Sequence, residues 1–157
     1  MDSDISKIHL YNDDLPSDLQ LSNQVAIDTE TLGLNPARDR LCLIQINDGS
    51  DSTHLIRISS PLNPAPNLIK ILQSEKIQKL FHFARFDVAV ITKSYGISIN
   101  NIYCTKIASK LIRTYTNKHG LKDLISEFLK IDIDKKEQSS NWSNKRLTKD
   151  QIQYALN

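Results

Sequence analysis

The chain is poor in glycine and sulfur and has no long apolar run. Four glycines and five prolines in 157 residues exclude collagen-like and low-complexity classes. Two cysteines, Cys42 and Cys104, make no disulfide framework, and no Cys-x-x-Cys spacing is present for zinc. Consecutive apolar residues never exceed four, as at 41–44 and 88–91, whereas a bilayer span needs roughly 20. The opening MDSDISKIHL carries acids where a secretory leader carries a basic region and then an apolar one. The expectation is a reduced, cytoplasmic protein with no membrane contact.

What is present suits one folded domain over residues 1–157. The composition is 39% hydrophobic and 24% charged, and a chain this long buries about two-thirds of its unfolded surface. Net charge is +2, unevenly spread. Residues 1–99 hold 9 Lys+Arg against 12 Asp+Glu, and residues 100–157 hold 11 against 6. An acidic first part and a basic second part suit a metal site beside a phosphate-binding surface. Solvated helix faces give the same asymmetry.

Strand patterns come first. Residues 24–28 (QVAID), 41–46 (LCLIQI) and 54–58 (HLIRI) are β-rich and joined by short polar connections, which predicts an antiparallel meander. Then the period changes. Leu68, Ile69, Ile71 and Leu72 are spaced for a helix. Residues 79–83 and 101–104 read as further strands, and 84–95, 105–112 and 120–129 as helices, the first stopped by Gly96. Residues 131–146 read as polar loop. A capping box, Thr148-x-x-Gln151, opens a last helix over 148–157. This order predicts an α/β fold with a mixed sheet.

Three acids stand out. Asp28 and Glu30 lie two apart on a strand, so they share one face with Ala26 at a separation of roughly 6–7 Å. Two carboxylates at that distance repel by roughly 2–3 kcal/mol at an effective dielectric near 20. A divalent cation reverses that sign. If Glu30 has already left the strand, both acids are simply solvated. Asp87 falls at about 40° on a helical wheel started at Phe83, in the middle of the apolar face. A carboxylate there costs several kcal/mol in desolvation unless it is paired, capping or metal-bound. His82, just before that helix, is either a substrate contact or a core histidine satisfied by the backbone. Tyr154 lies off the apolar stripe of Ile152, Ala155 and Leu156 and is unremarkable alone.

Taken together, these residues resemble a known family. Asp28-Thr29-Glu30 resembles the first motif of the DEDD superfamily of 3′–5′ exonucleases. His82-Phe83-x-x-Phe86-Asp87 resembles the second motif in its ribonuclease D branch. Tyr154-Ala155 resembles the start of the third, whose tyrosine marks the DEDDy class. Gln138-Ser139-Ser140-Asn141-Trp142 is similar to the Q-x-S-D-W segment of ribonuclease D relatives, with Asn141 in place of the aspartate. The stretches TETLGLNPARDRLCLIQ, FHFARFD and CTKIASKLIRTYTNKHGLKDL look closest to nano-RNase C-type oligoribonucleases.

The resemblance implies a ribonuclease H-like mixed sheet, the meander plus parallel strands, flanked by helices. It also implies catalysis with two divalent ions, Mg²⁺ or Mn²⁺, on Asp28, Glu30 and Asp87, with Tyr154 orienting the attacking water. An unperturbed phenol, with a pKa near 10, is a poor base. Leu32 resembles a wedge that packs between terminal bases. By the same resemblance Thr29 and His82 meet the 3′-terminal nucleotide. Lys106, Arg113, Lys118 and His119 are candidates for phosphate contacts.

Short RNA, above all 5′-phosphorylated dinucleotides, is the implied substrate, and a ring-like homo-oligomer the implied assembly. The family's third motif ends in an aspartate four residues after the tyrosine, which is position 158. The expectation is therefore a domain lacking its C-terminal end, weak or inactive by itself. Ribonuclease D-like trimming of RNA 3′ ends, and a module that binds small RNA without cleaving it, remain as alternatives.

Overall fold

The computed structural model describes residues 8–133, 140–144 and 146–155. Six strands form one mixed sheet: β1 (Ile8–Asn12), β2 (Gln24–Thr31), β3 (Leu41–Asn47), β4 (Thr53–Arg57), β5 (Gln78–Phe81) and β6 (Ile102–Cys104). Their spatial order is β1-β4-β3-β2-β5-β6. Strands β2, β3 and β4 are the expected antiparallel meander. Strands β5 and β6 continue the sheet in parallel from β2. The helices are α1 (Pro66–Gln73), α2 (Ala84–Tyr95), α3 (Thr105–Ile112), α4 (Leu121–Leu129) and α5 (Lys149–Tyr154). Cys42 and Cys104 are both unbridged. Among the described residues no helix is long and apolar enough to cross a membrane.

One face of the sheet packs on α1 and α2. Val25 and Ile27 of β2 and Ile44 and Ile46 of β3 meet Leu68 and Leu72 of α1 and Val90 and Ile91 of α2. Leu68 and Leu72 are one helical turn apart, and Pro66 supplies the fixed φ of a first helical turn. Gly96, at a φ of 65°, ends α2 and donates its N–H to the Thr92 carbonyl at 2.8 Å. The other face carries a smaller cluster of Cys42, Leu43, Leu55, Trp142 and Ala155, with Tyr154 packed against it.

Three elements differ from the sequence reading. Strand β1 lies outside the expected strands: Ile8 and Leu10 alternate with His9 only briefly, and no side chain of the strand is fully buried. It pairs in parallel with β4. Strand β5 ends at Phe81 rather than at residue 83, since Phe83 takes a left-handed conformation (φ 68°) and caps α2. The stripe that α5 turns inward is Gln151, Tyr154 and Ala155, the first and last fully buried. Leu156 and Asn157, like Gln138 and Ser139 of the tryptophan segment, lie outside the described residues.

Candidate active site

Strand β2 is longer than its neighbour. Its pairing with β5 runs only from Gln24 to Ala26. Beyond Ala26 the β5 chain turns away through His82 and Phe83 into α2. The far half of β2 therefore keeps only β3 as a strand partner among the described residues. That opening at the carboxyl ends of parallel strands is where α/β sheets place their ligands.

Glu30 is still on the strand, opposite Leu43, and Asp28 is opposite Gln45. Val25, Ile27 and Thr29 are buried while Ala26 and Asp28 face outward, so the two acids share the face expected for them. The register slips between Glu30 and Thr31, so Thr31 pairs with Leu41. Such an irregularity turns the strand end and re-aims its side chains.

Asp87 arrives from the first turn of α2 and is 4% exposed. Its Oδ1 accepts a hydrogen bond from the Thr29 hydroxyl at 2.6 Å. Thr29 is itself buried. The resemblance implies only a nucleotide contact for Thr29; the bond makes it an anchor for Asp87 as well. A threonine in a strand is ordinary, so nothing local signals it.

The electrostatics bind these acids into one group. Glu30 is pushed up to about 8, first by burial and then by the negative charges of Asp28 and Asp87. Asp87 rises to about 7, through burial and the charge of Asp28, against the opposing Thr29 hydrogen bond. Asp28 has an outward edge open to solvent. The protein packed around it still raises its carboxyl, opposed by the Thr29 backbone N–H. Tyr154 is pushed up to about 12, by burial and then by Glu30 and Asp28. Its ring lies 6.0 Å from that of Trp142, tilted by 45°. Sequence motifs separated by more than a hundred residues thus meet at one place.

Among the described residues no lysine or arginine forms an ion pair with Asp28, Glu30 or Asp87; the two pairs there are Arg38–Asp39 and Arg113–Glu127. Nor do any three described His, Cys, Asp or Glu side chains close into a ready-made ion cage. Uncompensated carboxylate oxygens are the donor set of a hard divalent cation, and Mg²⁺ binds through one or two carboxylates while keeping much of its water. The residues present therefore fit such an ion.

The other candidates divide. The His82 Nδ1 lies 2.9 Å from the Thr105 hydroxyl, which donates to the Phe81 carbonyl at 3.1 Å. With that proton spent, Nδ1–H is the donor, which fixes the ring and its tautomer at the end of β5. Leu32 is 49% exposed, just past the acids. Lys106 sits 4.5 Å from the centre of the Phe83 ring, at the start of α2. Lys118 is exposed. His119 is tied through Nδ1 to Ser109 at 2.9 Å.

Arg113 is a correction. It is buried, and its guanidinium is committed to Tyr115 (3.2 Å), Ser109 (3.0 Å), the Lys118 carbonyl (2.6 Å) and an ion pair with Glu127. It ties α3 to α4 and offers no open face to phosphate.

The comparisons agree with this geometry. A family model described as 3′–5′ exonuclease matches residues 11–157. The chain belongs to that family of exonucleases. Brucella melitensis NrnC bound to pGG is 48% identical, with a TM-score of 0.87 over 95% of this chain and 72% of that one. The same protein with bound Mg²⁺ is 47% identical, with a TM-score of 0.88 over 95% and 73%. Ribonuclease D of Zymomonas mobilis is 29% identical over 142 residues, which are 90% of this chain and 36% of that protein. The chain thus spans about a third of the length of the curated ribonuclease D relatives it matches. The mixed sheet flanked by helices is the ribonuclease H-like exonuclease fold.

Proposed function

We propose that this chain is the catalytic domain of a metal-dependent 3′–5′ exoribonuclease acting on short RNA, with 5′-phosphorylated dinucleotides preferred. Nucleoside monophosphates are its products. The observation that carries the reading is the group of Asp28, Glu30 and Asp87, drawn together from β2 and α2, each raised by burial and without a basic partner among the described residues, with Tyr154 beside them. The likeness to a nuclease bound to pGG supports the short substrate. The likeness to its Mg²⁺-bound form supports the metal.

Asp28, Glu30 and Asp87 would hold two divalent ions, Mg²⁺ or Mn²⁺. Bound there, such ions lower the pKa of water and neutralise charge on the scissile phosphate. The chain's own residues do the rest. Thr29 holds the Asp87 carboxylate in one rotamer. Tyr154, raised to about 12, keeps its proton at neutral pH and orients the attacking water by hydrogen bonding. Burial first, and then the charges of Glu30 and Asp28, hold that proton more tightly than in a free phenol. The half-exposed Leu32 wedges against the terminal base, while His82 and the backbone near Thr29 meet the 3′ nucleotide. Lys106 and His119 contribute at the phosphate side. A homo-oligomer in the cytoplasm completes the proposal.

The test is turnover of a 5′-labelled dinucleotide and of a longer RNA in Mg²⁺ or Mn²⁺, by the chain with any native residues that follow Asn157. The expected result is metal-dependent release of monophosphates, faster from the dinucleotide and lost in Asp28→Ala. Faster turnover of the longer RNA favours ribonuclease D-like trimming. Dinucleotide binding without any turnover overturns the enzyme reading and leaves a binding module.

A further inference from the structure

Helix α5 has six residues, too few to hold its own shape in water. Yet it carries Tyr154 to the acid cluster. Its most buried side chain is polar: Gln151 is 2% exposed. Every polar atom of that amide is engaged. The Oε1 accepts from the Thr148 backbone N–H at 2.9 Å. The Nε2 donates to the Ser140 hydroxyl and to the Asn141 carbonyl, the latter at 3.1 Å. The Gln151 backbone N–H donates to the Thr148 hydroxyl at 3.1 Å, and its carbonyl accepts from Ala155 at 3.0 Å.

These bonds close a loop of contacts. Asn141 is followed by Trp142, which is 1% exposed and packs with Cys42, Leu43 and Leu55 of the sheet and with Ala155. The indole in turn lies against the Tyr154 ring. Tyr154 is three residues past Gln151, on the same side of the helix. A buried amide with all its bonds made specifies one arrangement, because any rotation leaves a donor or acceptor unpaired.

We propose that Gln151 is a positioning residue: it clamps the 140–142 turn and its Trp142 to α5 and so sets Tyr154 against the carboxylates. The proposal rests on the role of Tyr154 given above and adds the device that aims it. Its action is through Tyr154, not on the substrate.

The test is a double-mutant cycle read by kcat, KM and the fluorescence of Trp142, the only tryptophan of the chain. Gln151→Leu keeps the volume and removes the bonds. It is expected to lower kcat on the 5′-phosphorylated dinucleotide about tenfold while KM moves less than about twofold. In a Tyr154→Phe background the same change should alter kcat by less than about twofold. Trp142 emission should shift to the red in folded Gln151→Leu. Gln151→Glu keeps the acceptor for Thr148 but sets a carboxylate oxygen against the Asn141 carbonyl, so protonation restores the donor. Burial at this 2% exposed position raises a carboxyl well above the free range, so the kcat of Gln151→Glu relative to wild type should recover as pH falls from about 8 to about 6. Should Gln151→Leu fail to fold, that recovery carries the test.

An equal loss of kcat in the Tyr154→Phe background, or unchanged Trp142 emission, overturns the clamp. So does a Gln151→Glu ratio that does not change with pH. The underlying reading fails differently: Tyr154→Phe would then be as fast as wild type.

Discussion

The Thr29 hydroxyl donates to Oδ1 of Asp87 at 2.6 Å, joining the first acidic strand to the helix that brings the third acid. Both residues are buried, and the bond opposes the rise of the Asp87 carboxyl. Thr29→Val keeps the shape and removes the donor. It should push Asp87 higher still and move the acidic limb of the kcat/KM profile to higher pH. A charged acceptor losing its donor gives up roughly 1.5–3 kcal/mol, so kcat/KM at neutral pH should fall about tenfold or more. Thr29→Ser should restore most of it. An unchanged profile in Thr29→Val would show that the bond does not tune Asp87.

The metal-free protein should lose stability as pH rises. Glu30 is raised to about 8 and Asp87 to about 7. Between the ordinary carboxylate range and those values, the folded state binds more protons than the unfolded one. The slope of unfolding free energy against pH is then negative. The loss should be several kcal/mol, roughly 7 at the most, between about pH 5 and about pH 9. Urea melts in EDTA across that range would measure it, and Glu30→Gln should flatten the curve. A metal-free protein that gains stability toward pH 9 would contradict the coupling.

Arg113 should matter to the fold and not to the chemistry. Its bonds run to Ser109, Tyr115, Glu127 and the Lys118 carbonyl. Arg113→Met should lower Tm by about 5 °C or more. The folded variant should keep KM for the dinucleotide within about twofold. A large rise in KM with Tm unchanged would return Arg113 to the phosphate.

Phe83 caps α2 in a left-handed conformation. Only glycine adopts it without the steric cost of a Cβ. Phe83→Gly should therefore be more stable than Phe83→Ala by about 1 kcal/mol, the reverse of their order inside a helix. Thermal melts of the two variants check this, and the opposite order would mean that the backbone relaxes.

Much of this site is legible in the sequence. Asp87 shows itself because a carboxylate on the apolar stripe of a twelve-residue helix is physically anomalous, and α2 spans the residues expected. Asp28 and Glu30 show themselves through period-2 alternation in β2. The Thr148–Gln151 capping box is present as read. What escapes depends on contacts distant in sequence. The burial of Arg113 needs Tyr115 and Glu127 brought together by two helices. Strand β1 contributes main-chain pairing to an edge and few buried side chains, so its pattern is silent. The second role of Gln151 needs the 140–142 turn folded back onto α5.

The central claim is that Asp28, Glu30 and Asp87 act as one cation-holding group for RNA hydrolysis. The most direct measurement is monophosphate release from a 5′-phosphorylated dinucleotide in Mg²⁺, for wild type and Asp87→Asn. The account predicts release that EDTA abolishes and that Asp87→Asn slows by about 100-fold or more. Release at the wild-type rate by Asp87→Asn, or release that persists in EDTA, would contradict it.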